Sequence, residues 1–194
     1  TPLYSSAASD VYKRQPADGC IVMVLASEKI ARKLSETPIW VKGVGWCTET
    51  PNLETRDWSK ATYTCLAAEM AYKNAKITNP RKEIDFAEIH DQFAYKELQH
   101  MEALKLCEYG EAGKLTENGF TALDGEFPVN PSGGLLGMGY GLEASGMQKL
   151  LEAVLQLRGE AGRRQILDAE VGLAHTWRGI PTTTGAAAVL SNVK

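Results

Sequence analysis

The sequence predicts an α/β domain, and three observations carry that prediction. Apolar runs of strand length alternate along the chain with segments of helical period. Gly, Pro and Asn punctuate the junctions between them. The 194 residues are 44% hydrophobic and 23% charged, an ordinary globular balance. A chain of that length can bury roughly 70% of its unfolded surface. The length allows one domain, or one domain with part of another.

Thr1–Gln15 is polar and without sustained period. It is set apart as a non-native leader, of the kind left by sequencing-adapter read-through, or as a disordered tail. Pro16-Ala17-Asp18-Gly19 opens an apolar run, Cys20–Leu25, expected as a strand covered on both faces. A chain that starts one step before a core strand reads as truncated. Ser27–Leu34 has helical composition, with Ser27 as its cap. Ile39–Trp46 is a second extended run, and Thr48–Asp57 is a polar loop. Ser59–Asn74 is expected to be helical, with Ala61, Cys65, Ala68 and Tyr72 on one face. Asn79-Pro80 breaks the chain, and Ile84–Ile89 alternates apolar and acidic residues as a strand does.

After His90-Asp91-Gln92-Phe93 a helix is expected to carry Ala94, Leu98, Met101 and Leu104 on one face, with Gly110 and Gly113 closing it. Asn130–Gly146 is Gly-rich. Met147, Leu150, Leu151 and Val154 then mark the apolar face of a further helix. Glu170–His175 and, after a Thr-rich turn, Ala186–Leu190 are expected as strands. No internal repeat or low-complexity tract is present.

Charge and cysteines exclude several classes. Lys+Arg total 21 and Asp+Glu 24, a net charge of -3, which argues against a nucleic-acid partner. No stretch approaches the ~18 apolar residues of a membrane span. Cys20, Cys47, Cys65 and Cys107 are scattered and form no CxxC pair, so no metal cage is expected. Two disulfides are conceivable, but reduced thiols and a cytoplasmic location are the expectation.

The Gly-rich stretch admits three functional readings beside a plain structural turn. A phosphate loop would need a G-K-[ST] ending, which is absent. Gly139-x-Gly141-x-x-Ala144 matches the letters of a dinucleotide fingerprint, but loop rather than strand precedes it. The third reading is a catalytic loop that presents Tyr140 while backbone groups hold an oxyanion. Among the histidines, His100 sits in a surface-like helical stretch and reads as solvated. His90 lies at the carboxyl end of a strand, where α/β folds place active sites, with a structural role as the equal alternative. His175 ends a strand and leads into the turn at Thr176-Trp177-Arg178-Gly179, with a capping role as the alternative.

Three runs carry a resemblance: A-E-I-H-D-Q-F-A-Y-K-E-L from Ala87, P-V-N-P-S-G-G-L-L-G-M-G from Pro128, and Q-L-R-G-E-A-G-R-R-Q from Gln156. Together they look like the C-terminal half of thiolases, in the branch of sterol-carrier-protein thiolase and the archaeal acetyl-CoA acetyltransferases. The resemblance covers nearly everything from Pro16 onward. It implies a thiolase-like layered αβαβα fold, C-terminal half only, with 16–36 a remnant of the N-terminal half and 37–194 the C-terminal domain. The implied chemistry makes or breaks a carbon–carbon bond beside a coenzyme A thioester, which is substrate rather than resident cofactor. The family's nucleophilic Cys belongs to the first half. None of the four cysteines stands in its context, so the chain alone is expected to be inactive.

By the same resemblance, His90 falls on the His of the family's H-D-C-F motif, which helps bind the thioester oxygen. Gln92 falls on that motif's Cys, an acid/base, and Gln cannot exchange a proton. Phe93 and Gly139 are expected beside the substrate. Tyr140 falls on the His of the G-H-P motif, Gly141 replaces its Pro, and Glu143 replaces a Gly. His175 falls near a C-terminal His of the branch, and the turn around Gly185 resembles a loop that supplies a backbone oxyanion donor. A His near ~6.5 takes a thiol proton at neutral pH, whereas a Tyr near ~10 does not. An acyltransferase of the acetyl-CoA acetyltransferase type therefore competes with a retro-aldolase using Tyr140, and with a non-catalytic acyl-CoA-binding subunit. The implied partners are an acyl-CoA, further copies of the chain in a homo-oligomer, and a zinc-ribbon/OB-fold protein that binds the acyl-CoA. The chain alone is expected to be poorly soluble, because Cys20–Leu25 would lack sheet neighbours.

Overall fold

A computed structural model describes residues 18–180 and 182–194. The expectation for 1–15, and the start of that for 16–36, lies outside the described residues. Four strands form one sheet: β1 (Trp40–Thr48), β2 (Phe86–Glu88), β3 (Val171–Arg178) and β4 (Thr184–Ser191). Their order is β1-β4-β3-β2, with β4 antiparallel to both neighbours and β2 parallel to β3. The helices are α1 (Glu28–Leu34), α2 (Thr62–Ala75), α3 (Pro80–Glu83), α4 (Ala94–Ala103), α5 (Ala112–Glu117), α6 (Gly134–Met138) and α7 (Ser145–Arg158).

Strand alternation divides the core into two layers. Leu173, Ala187 and Val189 face the side of α2 and α4, where they pack with Ala67, Ala71, Ile89 and Met101. Phe86, Ala174 and Leu190 face the other side, against Ala153 and Leu157 of α7. The contact of α2 with β1 is unusually close. A Cβ on Gly43 would stand 2.1 Å from the Ala71 carbonyl oxygen, and one on Gly45 would stand 2.0 Å from that of Ala67. Glycine on the strand and alanine on the helix let the two backbones meet.

Several expectations are corrected. Cys20–Leu25 forms no strand. No described strand lies beside it, and Val22, Val24 and Leu25 are 82, 83 and 84% exposed. Ser27 takes the N-cap position of α1 without a side-chain capping bond. The helix expected over Ser59–Asn74 is α2, and the strand expected over Ile84–Ile89 shortens to β2. Helix α4 ends at Ala103 rather than at the glycines: Gly110 lies in a later turn, and Gly113 lies inside α5.

The buried face of α7 is turned from the expected one. It runs through Lys149, Glu152, Ala153, Gln156 and Leu157, while Leu151 faces outward. Polar side chains go inward there because each finds a partner, Glu152 with Arg164 at 2.9 Å and Gln156 with the Arg164 carbonyl at 2.7 Å. Strand β3 continues to Arg178, so His175 is an interior strand residue and 176–178 is not a turn. All four cysteines are free. No described helix is long and apolar enough to cross a membrane.

Candidate functional site

Strand β2 delivers His90 and Asp91 into the interior, where both are almost fully buried. The backbone of His90 is held from both sides by other histidines. Its N–H points at His175 Nδ1, at 3.5 Å, and its carbonyl accepts from His100 Nδ1 at 2.8 Å. These bonds set the tautomers. A carbonyl only accepts, so His100 carries its proton on Nδ1, and its Nε2 accepts from the Tyr63 hydroxyl at 3.0 Å. His175 accepts at Nδ1, so its Nε2 donates to Thr64 Oγ1, also at 3.0 Å. Lys96 Nζ donates to the Tyr63 oxygen at 3.2 Å and closes the chain of bonds. His100, expected as solvated, is fully buried. The polar side of α4 turns inward because the His90 carbonyl and Tyr63 wait there.

The His90 ring is different. Neither ring nitrogen has a partner in hydrogen-bond geometry among the described residues. Gln92 acts on the ring and favours its protonated form, without reaching that geometry. Trp177, Tyr140 and His100 surround the ring edge-on, with centroids at 5.6, 6.3 and 6.4 Å. Burial, and next the Lys149 charge, pull the His90 ring down to about 4. Burial brings His100 to about 3 and leaves His175 well below the ordinary imidazole value. All three are therefore neutral at pH 7.

A second network pins the Gly-rich loop. Lys149 Nζ, on α7, meets Glu88 at 3.0 Å, Asp91 at 3.3 Å and Asn130 Oδ1 at 3.0 Å. Asp91 accepts from the backbone N–H groups of Leu135 and Leu136 at 2.8 and 3.3 Å. Glu88 accepts from the N–H and hydroxyl of Ser132, both at 2.9 Å. Asn130 reaches Glu97 of α4 at 2.8 Å and accepts from the Ile89 N–H. The anion at the glycines is thus the chain's own Asp91. Gly134 has φ +63°, and a Cβ there would stand 1.9 Å from Asp91 Oδ2. The N–H groups that a phosphate reading requires are taken, and the helix α6 rather than a strand precedes Gly139-x-Gly141. Gly139, at φ +106°, turns the chain so that Tyr140 meets His90.

Of the residues singled out in the sequence, the fold brings His90, Tyr140, His175 and Gln92 together. Phe93 lies at the start of α4 and stacks on Tyr95, with centroids 5.9 Å apart. Gly185 is not in a turn. It sits within β4 between Trp177 and Cys47, and a Cβ there would press on Tyr63 at 2.9 Å. Sequence reasoning missed Tyr63, Lys96, His100, Glu88, Asn130 and Lys149. Two of them left a signal: Glu88 interrupts an apolar strand and Lys149 interrupts an apolar helical stripe. Among the described residues no group of three or more His, Cys, Asp or Glu is placed to hold a metal ion.

Residues 46–192 match the model of the thiolase C-terminal domain-like family. The chain belongs to that family. An acetyl-CoA acetyltransferase of Methanothermobacter thermautotrophicus is 41% identical over 174 residues, 89% of this chain and 44% of the relative. Bovine sterol carrier protein 2 is 36% identical over 82% of this chain and 30% of its own length. The chain thus spans less than half the length of these curated relatives. Among solved structures, an Ltp2-ChsH2(DUF35) aldolase superposes with a TM-score of 0.75 at 25% identity, over 86% of this chain and 43% of that one. A monomeric SCP2-thiolase-like protein of Mycobacterium smegmatis gives 0.61 at 18% identity, over 86% of this chain and 32% of that one. The fold is accordingly the α/β fold of the thiolase-like proteins. A thiolase C-terminal domain-like chain with this geometry offers a buried neutral imidazole beside a half-buried phenol.

Proposed function

We propose that this chain supplies the oxyanion-binding half of an acyl-CoA site that makes or breaks a carbon–carbon bond next to the thioester. One observation carries the reading: among the described residues neither nitrogen of the buried His90 ring meets a partner in hydrogen-bond geometry, although Gln92 acts on it, while its backbone is fixed at both ends. A neutral imidazole N–H in a low-dielectric site stabilises a developing enolate oxygen without being a cation beforehand. Tyr140 stands next to it to give or take a proton.

Two reactions use that chemistry. Acyl transfer rests on the likeness to the archaeal acetyltransferase. Aldol cleavage rests on Tyr140 beside His90 and on the likeness to the Ltp2-ChsH2(DUF35) aldolase. We favour the second, since a phenolic hydroxyl can both donate to and accept from the β-hydroxyl of the substrate. The likeness to a two-component aldolase also supports a partner protein of the zinc-ribbon/OB-fold kind. The homo-oligomer and the cytoplasmic location rest on the sequence reading alone.

The test follows two signals in the chain assembled with the N-terminal half that the resemblance implies: exchange of the acyl α-protons with solvent deuterium, and release of a carbonyl product from a β-hydroxyacyl-CoA. His90→Ala is expected to lower both by about 100-fold or more. Tyr140→Phe is expected to abolish carbonyl release. Unchanged carbonyl release in Tyr140→Phe removes the phenol from the mechanism, and unchanged exchange in His90→Ala overturns the whole reading.

A further inference from the structure

Lys96 is a buried cation that the reading above does not use. It lies on α4 and is 8% exposed. Its ammonium donates to Tyr63 and, at 2.6 Å, to Gln99 Oε1. It stands over the rings of Trp177, Tyr95 and Tyr63, at 4.7, 5.6 and 5.7 Å from their centroids. Among the described residues it makes no ion pair, and Glu49 is the acid that acts on it from beyond that distance. A buried ion without a counter-ion is costly, and aromatic faces return only part of that cost. Burial accordingly holds the Lys96 ammonium below the ordinary lysine value.

The same residues form part of the wall of a cavity of about 290 Å³, which Arg56 and Trp58 also line. The wall also carries Lys60 and two acids, Glu49 and Asp57, of which Asp57 is engaged by Ser59 and faces Lys60 at 3.8 Å. The cavity therefore offers an ammonium that makes no ion pair among the described residues, set between aromatic flanks. A volume near the lower end of the ~300–1,000 Å³ typical of ligand sites fits a small occupant.

We infer that this cavity binds a carboxylate carried on a small flat apolar body, with Lys96 as the charged anchor and Trp177, Tyr63 and Tyr95 as its flanks. The carboxylate completes the ion pair that the fold leaves open, and the rings receive the apolar part. The carboxylate is either that of a free acid or the far end of an acyl group. Trp177 borders both this cavity and the His90 ring.

The probe is benzoate, titrated calorimetrically into the purified protein, with benzamide as the uncharged isostere. Saturable benzoate binding is expected, at least tenfold tighter than that of benzamide. Lys96→Met is expected to weaken benzoate at least tenfold, and Lys96→Arg to hold it within tenfold of the parent. Absence of saturable benzoate binding, or equal binding of benzamide, overturns the inference, as does undiminished binding by Lys96→Met. The benzamide comparison decides the matter even if Lys96→Met fails to fold. A CoA thioester of terephthalate that displaces benzoate assigns the site to the far end of an acyl group, and one that does not assigns it to a free acid. The readout is binding rather than turnover. A protein that binds benzoate but leaves acyl-CoA unchanged thus keeps this site and loses only the reaction proposed above.

Discussion

Among the described residues two lysines are buried, one on each side of the sheet, and they are compensated differently. Lys149 on α7 meets two carboxylates and an amide oxygen, and those carboxylates in turn hold backbone N–H groups of the Gly-rich loop. Every charge in that cluster has an opposite charge in contact. Lys96 on α4 has two neutral acceptors and three ring faces. The first arrangement is finished within the chain and works as a lock. The second lacks an anion and works as a receptor. Burial alone does not distinguish them; the partners do.

The contrast breaks most visibly at Lys149. Lys149→Met strands Glu88 and Asp91 as buried carboxylates, with an expected loss of about 3–5 kcal/mol. Thermal unfolding should register it as ~10 °C or more. A loss below ~1 kcal/mol would mean that the loop is not held by this cluster.

Next in size is the pH response of the histidine side. His90 is held near 4 and His100 near 3 in the fold, with His175 also depressed, whereas the unfolded chain takes up these protons near 6.5. The unfolded state therefore binds more protons between ~6.5 and ~4, and stability is present above that window and lost as pH falls through it. Melting points should drop steadily between pH 7 and pH 4.5. A flat profile would show that the rings are not buried neutral.

Gly134→Ala comes third. It forces a Cβ onto Asp91 at φ +63°, and a cost of about 1–3 kcal/mol is expected in urea unfolding. Lys96→Met is the smallest. An uncompensated ion replaced by an apolar chain of similar length should leave stability within ~1 kcal/mol of the parent, of either sign. A loss like that of Lys149→Met would erase the difference between the two sites.

Much of this arrangement was readable from local pattern, and the rest was not for definable reasons. The helix after Asp91-Gln92-Phe93, the Gly-rich turn before a second helix, and His90 at a strand's carboxyl end all follow from short-range signals. His100 did not, because Gln99-His100-Met101-Glu102 has the composition of a solvent face. Its acceptor, the His90 carbonyl, comes from another element. Lys149 and Glu88 are 61 residues apart, and neither explains itself without the other. Cys20–Leu25 failed in the opposite sense. Its apolar run asks for sheet neighbours, and none lies beside it among the described residues. Gly185 looked like part of a turn because threonines precede it, yet it is the residue that makes room for Tyr63 inside the sheet.

The close approach of β1 and α2 has a mechanical side. Gly43, Gly45, Ala67 and Ala71 have no rotatable side-chain bonds, so their contact stores no rotamer freedom and has little compliance. Helix and strand move as one plate. Thr64, which orients His175, rides on that plate, and the chain of bonds from Thr64 through His175 to the His90 N–H is short. The imidazole at the candidate site is thus referenced, through two hydrogen bonds, to a helix and strand held backbone to backbone.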